Sequence, residues 1–281
     1  MNLRWAAILA LAITPAALLA SEGTFDKTLP VNGAVNLNVG TGSGYIHITP
    51  GPDGSVHIIG HVHSGYGLFS GSSADQRVRE VTDNPPIVQN GSSIEVGKNT
   101  HYQNISIDYV ITAPRGTTLE ANSGSGDLNI SNLGGPLKAG TGSGNIEAND
   151  LSGDVALNTG SGDIRAQMSN AHYVKAETGS GTIHLQGVTG GLYAETGSGD
   201  IEIGGQPGDG WKLETGSGSI TLNTGSQARF TLDASTGSGD VHSDPPMTTH
   251  GSTDKHHVTG DINGGGPVVR VETGSGDIRI H

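Results

Sequence analysis

The motif Thr-Gly-Ser-Gly, or a one-letter variant of it, recurs nine times, with the first glycine of each Gly-Ser-Gly at 42, 124, 142, 160, 179, 197, 216, 237 and 274. The separations are 82, 18, 18, 19, 18, 19, 21 and 37 residues. A period of 18–19 residues sustained from position 124 onward marks a solenoid, in which one unit has too little apolar surface to fold alone and must stack on its copies.

Within a period the apolar residues alternate. In "GNIEANDLSGDVALNTGSGDIRA", Ile146 and Ala148 share one face, and Val155, Leu157 and Thr159 share one before the next corner. Such period-2 runs of four or five residues, bounded by Ser-Gly and Gly-Ser-Gly, read as two short strands and two corners per coil. Stacking at ~4.8 Å would then pair each strand with its equivalent one coil away. The expected fold is all-β: a single parallel β-solenoid, β-helix- or β-roll-like, with 18–19 residues per coil and an irregular N-terminal β cap. A chain with 47 glycines, 33% hydrophobic and only 4% aromatic residues is poor material for one thick core but suits a thin repeated one.

The corner sequence follows from this geometry. Glycine permits positive φ and close backbone approach where a side chain would meet its own copy one coil away. Thr141, Thr159, Thr178, Thr196, Thr215 and Thr236 keep the inward parity of the strands they end. Their hydroxyls are expected to stack as a ladder satisfying corner backbone groups. The residue after each corner reads Asp127, Asn145, Asp163, Thr182, Asp200, Ser219, Asp240 and Asp277, and this near-alternation of acid and neutral residues would keep carboxylates ~9.6 Å apart.

Residues 1–20, with Arg4 before an apolar run from Ala6 to Ala20, read as a secretory signal peptide, the run being short against the roughly 20 residues of a membrane span. Export to the periplasm, cell surface or medium is therefore expected. There is no cysteine, which excludes disulfides, thiolate chemistry and Cys-ligated zinc. The formal net charge of −13 argues against nucleic acid and anionic membrane as partners. Residues 21–118 depart from the period and read as an irregular β part, with a short helix at "SADQRVREV"; residues 119–281 form the regular array, interrupted by a loop at 243–258. The chain stops at "GSGDIRIH" inside the motif, so its last strand is expected at an open edge unless a partner or the interrupting loop covers it.

"NISIDYVITAPRGTTLEANSGSGDL", the TGSGDI copies and "INGGGPVVRVETGSGDIRI" together resemble the bacterial adhesin-type family termed domain of unknown function 4097, over essentially the whole chain after residue 20. The resemblance implies a β-solenoid on an exported or membrane-associated protein and carries over no catalytic residues.

Calcium-binding nonapeptide repeats place Asp two positions after the last glycine, whereas here it follows directly, and not in every copy. Asp163 and Asp200, two coils apart, match an inverting glycosidase in spacing alone, with nothing to raise one carboxyl pKa. His57, His61 and His63 lie in one strand-like run, as half a metal site at most, and His256 and His257 sit in the loop. The reading is therefore a non-catalytic exported scaffold of the envelope or surface, an adhesin or interaction protein with no metal and no cofactor; the alternative is a carbohydrate-binding or carbohydrate-active β-solenoid. The candidate binding face is the outward parity of the front strands: Tyr173, Lys175, Glu177, Tyr193, Glu195, Lys212 and Glu214, where Tyr173 and Tyr193 would form a platform for a protein or glycan partner.

Overall fold

The structure is a computed structural model that describes residues 21–65, 72–97, 104–251 and 254–281. The leader expected at 1–20 lies outside them. Two long sheets face each other across a shared apolar core. The front sheet holds the strands that run into the Gly-Ser-Gly corner, and the back sheet those that leave it. Among the described residues nine coils each give one strand to both sheets. In spatial order they are residues 36–51, 118–131, 137–151, 155–168, 173–188, 191–205, 211–224, 268–280 and 230–243, numbered here as coils 1 to 9.

Neighbouring coils pair parallel and in register. Ile146 faces Ile164, and Ile164 faces Ile183, in the back sheet; Leu137 faces Val155, and Val155 faces Val174, in the front. These inward Ile, Leu, Val and Ala side chains are almost fully buried. The whole ladder of hydroxyls forms as expected. Thr159 Oγ1 donates to Gly144 O of the coil before at 2.9 Å, and the same bond recurs at Thr141, Thr178, Thr196, Thr215, Thr273 and Thr236. In coils 3 and 4 the same oxygen also accepts the N–H of the second corner glycine, Gly144 to Thr141 and Gly162 to Thr159. From coil 2 onward the corner glycines are required sterically: a Cβ on Gly197 would lie 2.6 Å from Gly179 O.

The residue after the corner acts as an acceptor for the next coil. Asp127 Oδ1 accepts Asn145 N–H at 2.7 Å, Asn145 Oδ1 accepts Asp163 N–H at 2.9 Å, and Asp163 Oδ1 accepts Thr182 N–H at 2.9 Å. Acid and amide are thus interchangeable because both supply a carbonyl-type oxygen. Alternation against charge stacking is not the rule, since Asp277 and Asp240 sit in adjacent coils and Asp240 N–H donates to Asp277 Oδ1 at 3.1 Å. Arg279 and Lys255 neutralise that pair, at 2.6 and 3.4 Å.

Coil order departs from chain order at both ends. After coil 1 the chain leaves to build a cap and returns at coil 2, so the first two corners are stacked neighbours despite 82 intervening residues. The cap consists of the antiparallel strands Glu22–Pro30, Ser55–Ser64 and Ile105–Pro114 on the back sheet, Ile87–Asn90 and Ser93–Val96 on the front, and the helix Ser72–Asp83, where a helix was expected. At the other end the last coil is not an open edge. Residues 268–280 insert between coils 7 and 9, with Trp211 and Leu232 flanking Val269 and with Ile220 and Val241 flanking Ile278. The segment 243–258 contributes Met247–Thr249 and the start of His257–Ile262, antiparallel strands that cover coil 9 in the front sheet. Coil 8 therefore finds partners on both sides, and the interrupting segment becomes the end cap.

Candidate functional site

The outer face of the front sheet carries two parallel rows. Lys175, Tyr193, Lys212 and Arg270 are register partners in coils 5 to 8, and Glu177, Glu195, Glu214 and Glu272 form the row beside them. Like carboxylates at ~4.8 Å repel by about 0.9 kcal/mol per neighbouring pair even in bulk water. The first row offsets this. Lys175 Nζ lies 2.9 Å from Glu177 Oε1 and Lys212 Nζ 2.8 Å from Glu214 Oε1. Arg270 spans Asp233 at 3.2 Å and Glu272 at 4.0 Å. Glu195 has a tyrosine where its neighbours have a lysine, and it accepts the Tyr193 hydroxyl.

Tyr193 is clamped between cations. The Lys175 and Lys212 ammonium groups lie 5.6 and 5.5 Å from its ring centroid, within cation–π range. Both shifted groups of these rows hold their protons more tightly. The hydrogen bond to Glu195 raises the Tyr193 phenol, and the hydrogen bond to Glu177 raises Lys175. Such shifts move a phenol and an amine away from service as base or nucleophile at neutral pH.

Tyr173 stands apart from Tyr193. It pairs with Gly191, and its ring lies over that glycine, where a Cβ would come 3.0 Å from Cδ2. Tyr173 is 46% exposed. Among the described residues the two tyrosines make no ring contact, so the face presents one clamped and one free ring, not a stacked pair.

Beside Tyr173 a groove of about 560 Å³ crosses coils 1 to 5. Its floor is Ala156, the register partner of both Lys138 and Lys175. A small side chain between two long ones makes the depression. Lys138 is held by Glu120 at 3.2 Å, and Glu120 also accepts Asn38 Nδ2 at 3.1 Å. A smaller depression of about 330 Å³ shares Lys138, Ala156 and Lys175 and continues over Gly140. Sequence reasoning found Tyr173 and Lys175 but missed Lys138 and Ala156; aligning successive front strands puts Lys138, Ala156 and Lys175 in one column, a signal the chain does carry.

The histidines acquire partners that only the cap provides. His57 Nε2 lies 2.7 Å from Asp26, and His63 sits between Asp108 at 3.1 Å and Glu22 at 3.8 Å. His61 pairs with Thr24 at 3.3 Å. Among the described residues no three His, Asp or Glu side chains converge as a metal site. His257 reaches Asp233 at 3.3 Å, and His256 Nδ1 meets Gly239 O at 2.8 Å, fastening the end cap to coil 9.

A family model, Toastrack DUF4097, matches residues 77–281, which takes in the array from coil 2 to coil 9 and the charged rows. The chain belongs to the Toastrack DUF4097 family. Three solved structures are similar to this Toastrack chain. A "putative cell adhesion protein" from Clostridium sporogenes is 14% identical, covering 92% of this chain and 99% of that one, with a TM-score of 0.28. A "putative adhesin" from Bacteroides fragilis is 10% identical over 92% and 97%, TM-score 0.34. A "putative lipid binding protein" from Parabacteroides distasonis is 11% identical over 93% and 97%, TM-score 0.40. Superpositions this loose transfer no activity. No curated protein matches the chain.

Proposed function

We propose that this protein is an exported, non-catalytic scaffold of the cell envelope or surface, in adhesion or assembly, whose front sheet is the interaction face for a protein or glycan partner. The observation that carries the reading is the juxtaposition, on one rigid parallel sheet, of the groove beside Tyr173 with the rows Lys175–Arg270 and Glu177–Glu272. Rigid strands hold these side chains in place, so binding orders little that is not already ordered. Because the lysines and glutamates are paired within the face, it offers neither a basic surface for phosphate nor an activated nucleophile. The reading requires no cofactor and no metal.

Capture of envelope fragments by the purified protein tests it. Replacing Tyr173→Ala together with Tyr193→Ala removes both rings of the face and is expected to weaken capture roughly tenfold or more, as loss of aromatic anchors does. Capture unchanged by the double substitution would move the interaction face elsewhere.

A further inference from the structure

We propose that the groove over coils 1 to 5 is a subsite for an uncharged oligosaccharide lying along the solenoid axis, with Tyr173 as its stacking platform. The proposal rests on the interaction-face reading and names the ligand class.

At about 560 Å³ the groove is within the range of small-ligand sites. It lies in the interior of a sheet whose strands are paired on both sides, from Ser93–Val96 to Gly191–Ser198, so an extended peptide has no free strand edge there to join. Its two lysines are each committed to a glutamate, at 3.2 Å for Lys138 and 2.9 Å for Lys175, which leaves an anionic ligand without a cation to recruit. What remains is amphipathic at the scale of a sugar ring. Ala156, Pro136 and the lysine stems give apolar lining, Asn36 and Thr118 give neutral amide and hydroxyl groups, and the carboxylates of Glu95 and Asp154 add acceptors suited to sugar hydroxyls and unfavourable to an anion. Tyr173, an exposed residue, closes one end with its ring backed by Gly191, which holds the ring in position. A pyranose has the matching pattern, with axial C–H groups on its flat face and hydroxyls around its edge.

The test uses the purified protein with three neutral hexasaccharides, hexa-N-acetylchitohexaose, cellohexaose and laminarihexaose, and with polygalacturonate as a charged comparator, read by titration calorimetry. At least one neutral probe is expected to bind. Tyr173→Ala, and Ala156→Leu, which fills the floor on the solvent side, are each expected to weaken it tenfold or more. Tyr173→Trp restores it, and Tyr45→Ala, at an exposed tyrosine outside the groove, leaves it unchanged. Circular dichroism on each variant guards against loss of fold. Failure of all three neutral probes to bind, binding of polygalacturonate alone, or binding indifferent to both groove substitutions overturns the proposal. If envelope capture still depends on Tyr173 and Tyr193 while no neutral saccharide binds, the subsite falls and the interaction face stands; if both measurements fail, both fall.

Discussion

Replacing Ile278 by alanine tests the unexpected position of the last coil. Ile278 is fully buried between Ile220 of coil 7 and Val241 of coil 9. The substitution removes three carbons, about 2.4 kcal/mol of transfer free energy at ~0.8 per methylene, and leaves a cavity between two rigid coils, for a total of roughly 2–5 kcal/mol. Val241 occupies the equivalent position on coil 9, has a strand neighbour on one side only and is half-buried. Val241→Ala removes two carbons from a partly wetted site and is expected to cost about 1 kcal/mol or less. Urea unfolding followed by far-ultraviolet dichroism, with equal slopes for wild type and both variants, reads the difference from the midpoints. Were the coils stacked in chain order, 268–280 would be terminal and 230–243 internal, and the ranking would invert. Equal costs, or a larger cost at Val241, would refute the intercalated order.

Gly197→Ala is expected to cost more than about 2 kcal/mol, because its Cβ would sit 2.6 Å from Gly179 O, whereas Gly42→Ala, in coil 1 with nothing within 4 Å of the added atom, stays within roughly 0.5 kcal/mol. Thermal or urea midpoints that fail to separate the two would deny that corner glycines answer to the coil beneath. Tyr109, packed edge-on against Phe25 at 6.4 Å, is buried with a hydroxyl that finds no partner among the described residues, and burial raises its pKa from the ordinary 10.0. The unfolded chain ionises this phenol first as pH climbs, so its contribution is intact below about pH 10 and is lost between there and the raised folded value. Tyr109→Phe is expected to be neutral or stabilising at pH 7 and to flatten the alkaline decline; identical decline in both proteins contradicts this.

The period, the parallel pairing, the inward threonines and the steric need for glycine were legible in the sequence because each contact in the array joins a residue to its own copy. Part of the candidate site was legible for the same reason: Lys175, Tyr193 and Lys212 share a column, and so do the glutamates. The groove was less so. It depends on Ala156 lying between Lys138 and Lys175 and on the cap strand Ser93–Val96, which belongs to no repeat. Likewise His63 meets Asp108 and Glu22 through antiparallel pairings that no periodicity encodes.

What tertiary structure alone decided is the order of the coils. The corners at Thr215, Thr236 and Thr273 are chemically interchangeable, each donating to a glycine carbonyl one coil away at 2.9 Å. A gap of 82 or 37 residues is therefore equally compatible with several further coils or with an excursion that returns to the neighbouring rung. The sequence by itself determined the rung; which rung lies next to which was settled by the two caps, since coils 1 and 9 each had to cover an apolar face that repetition leaves open.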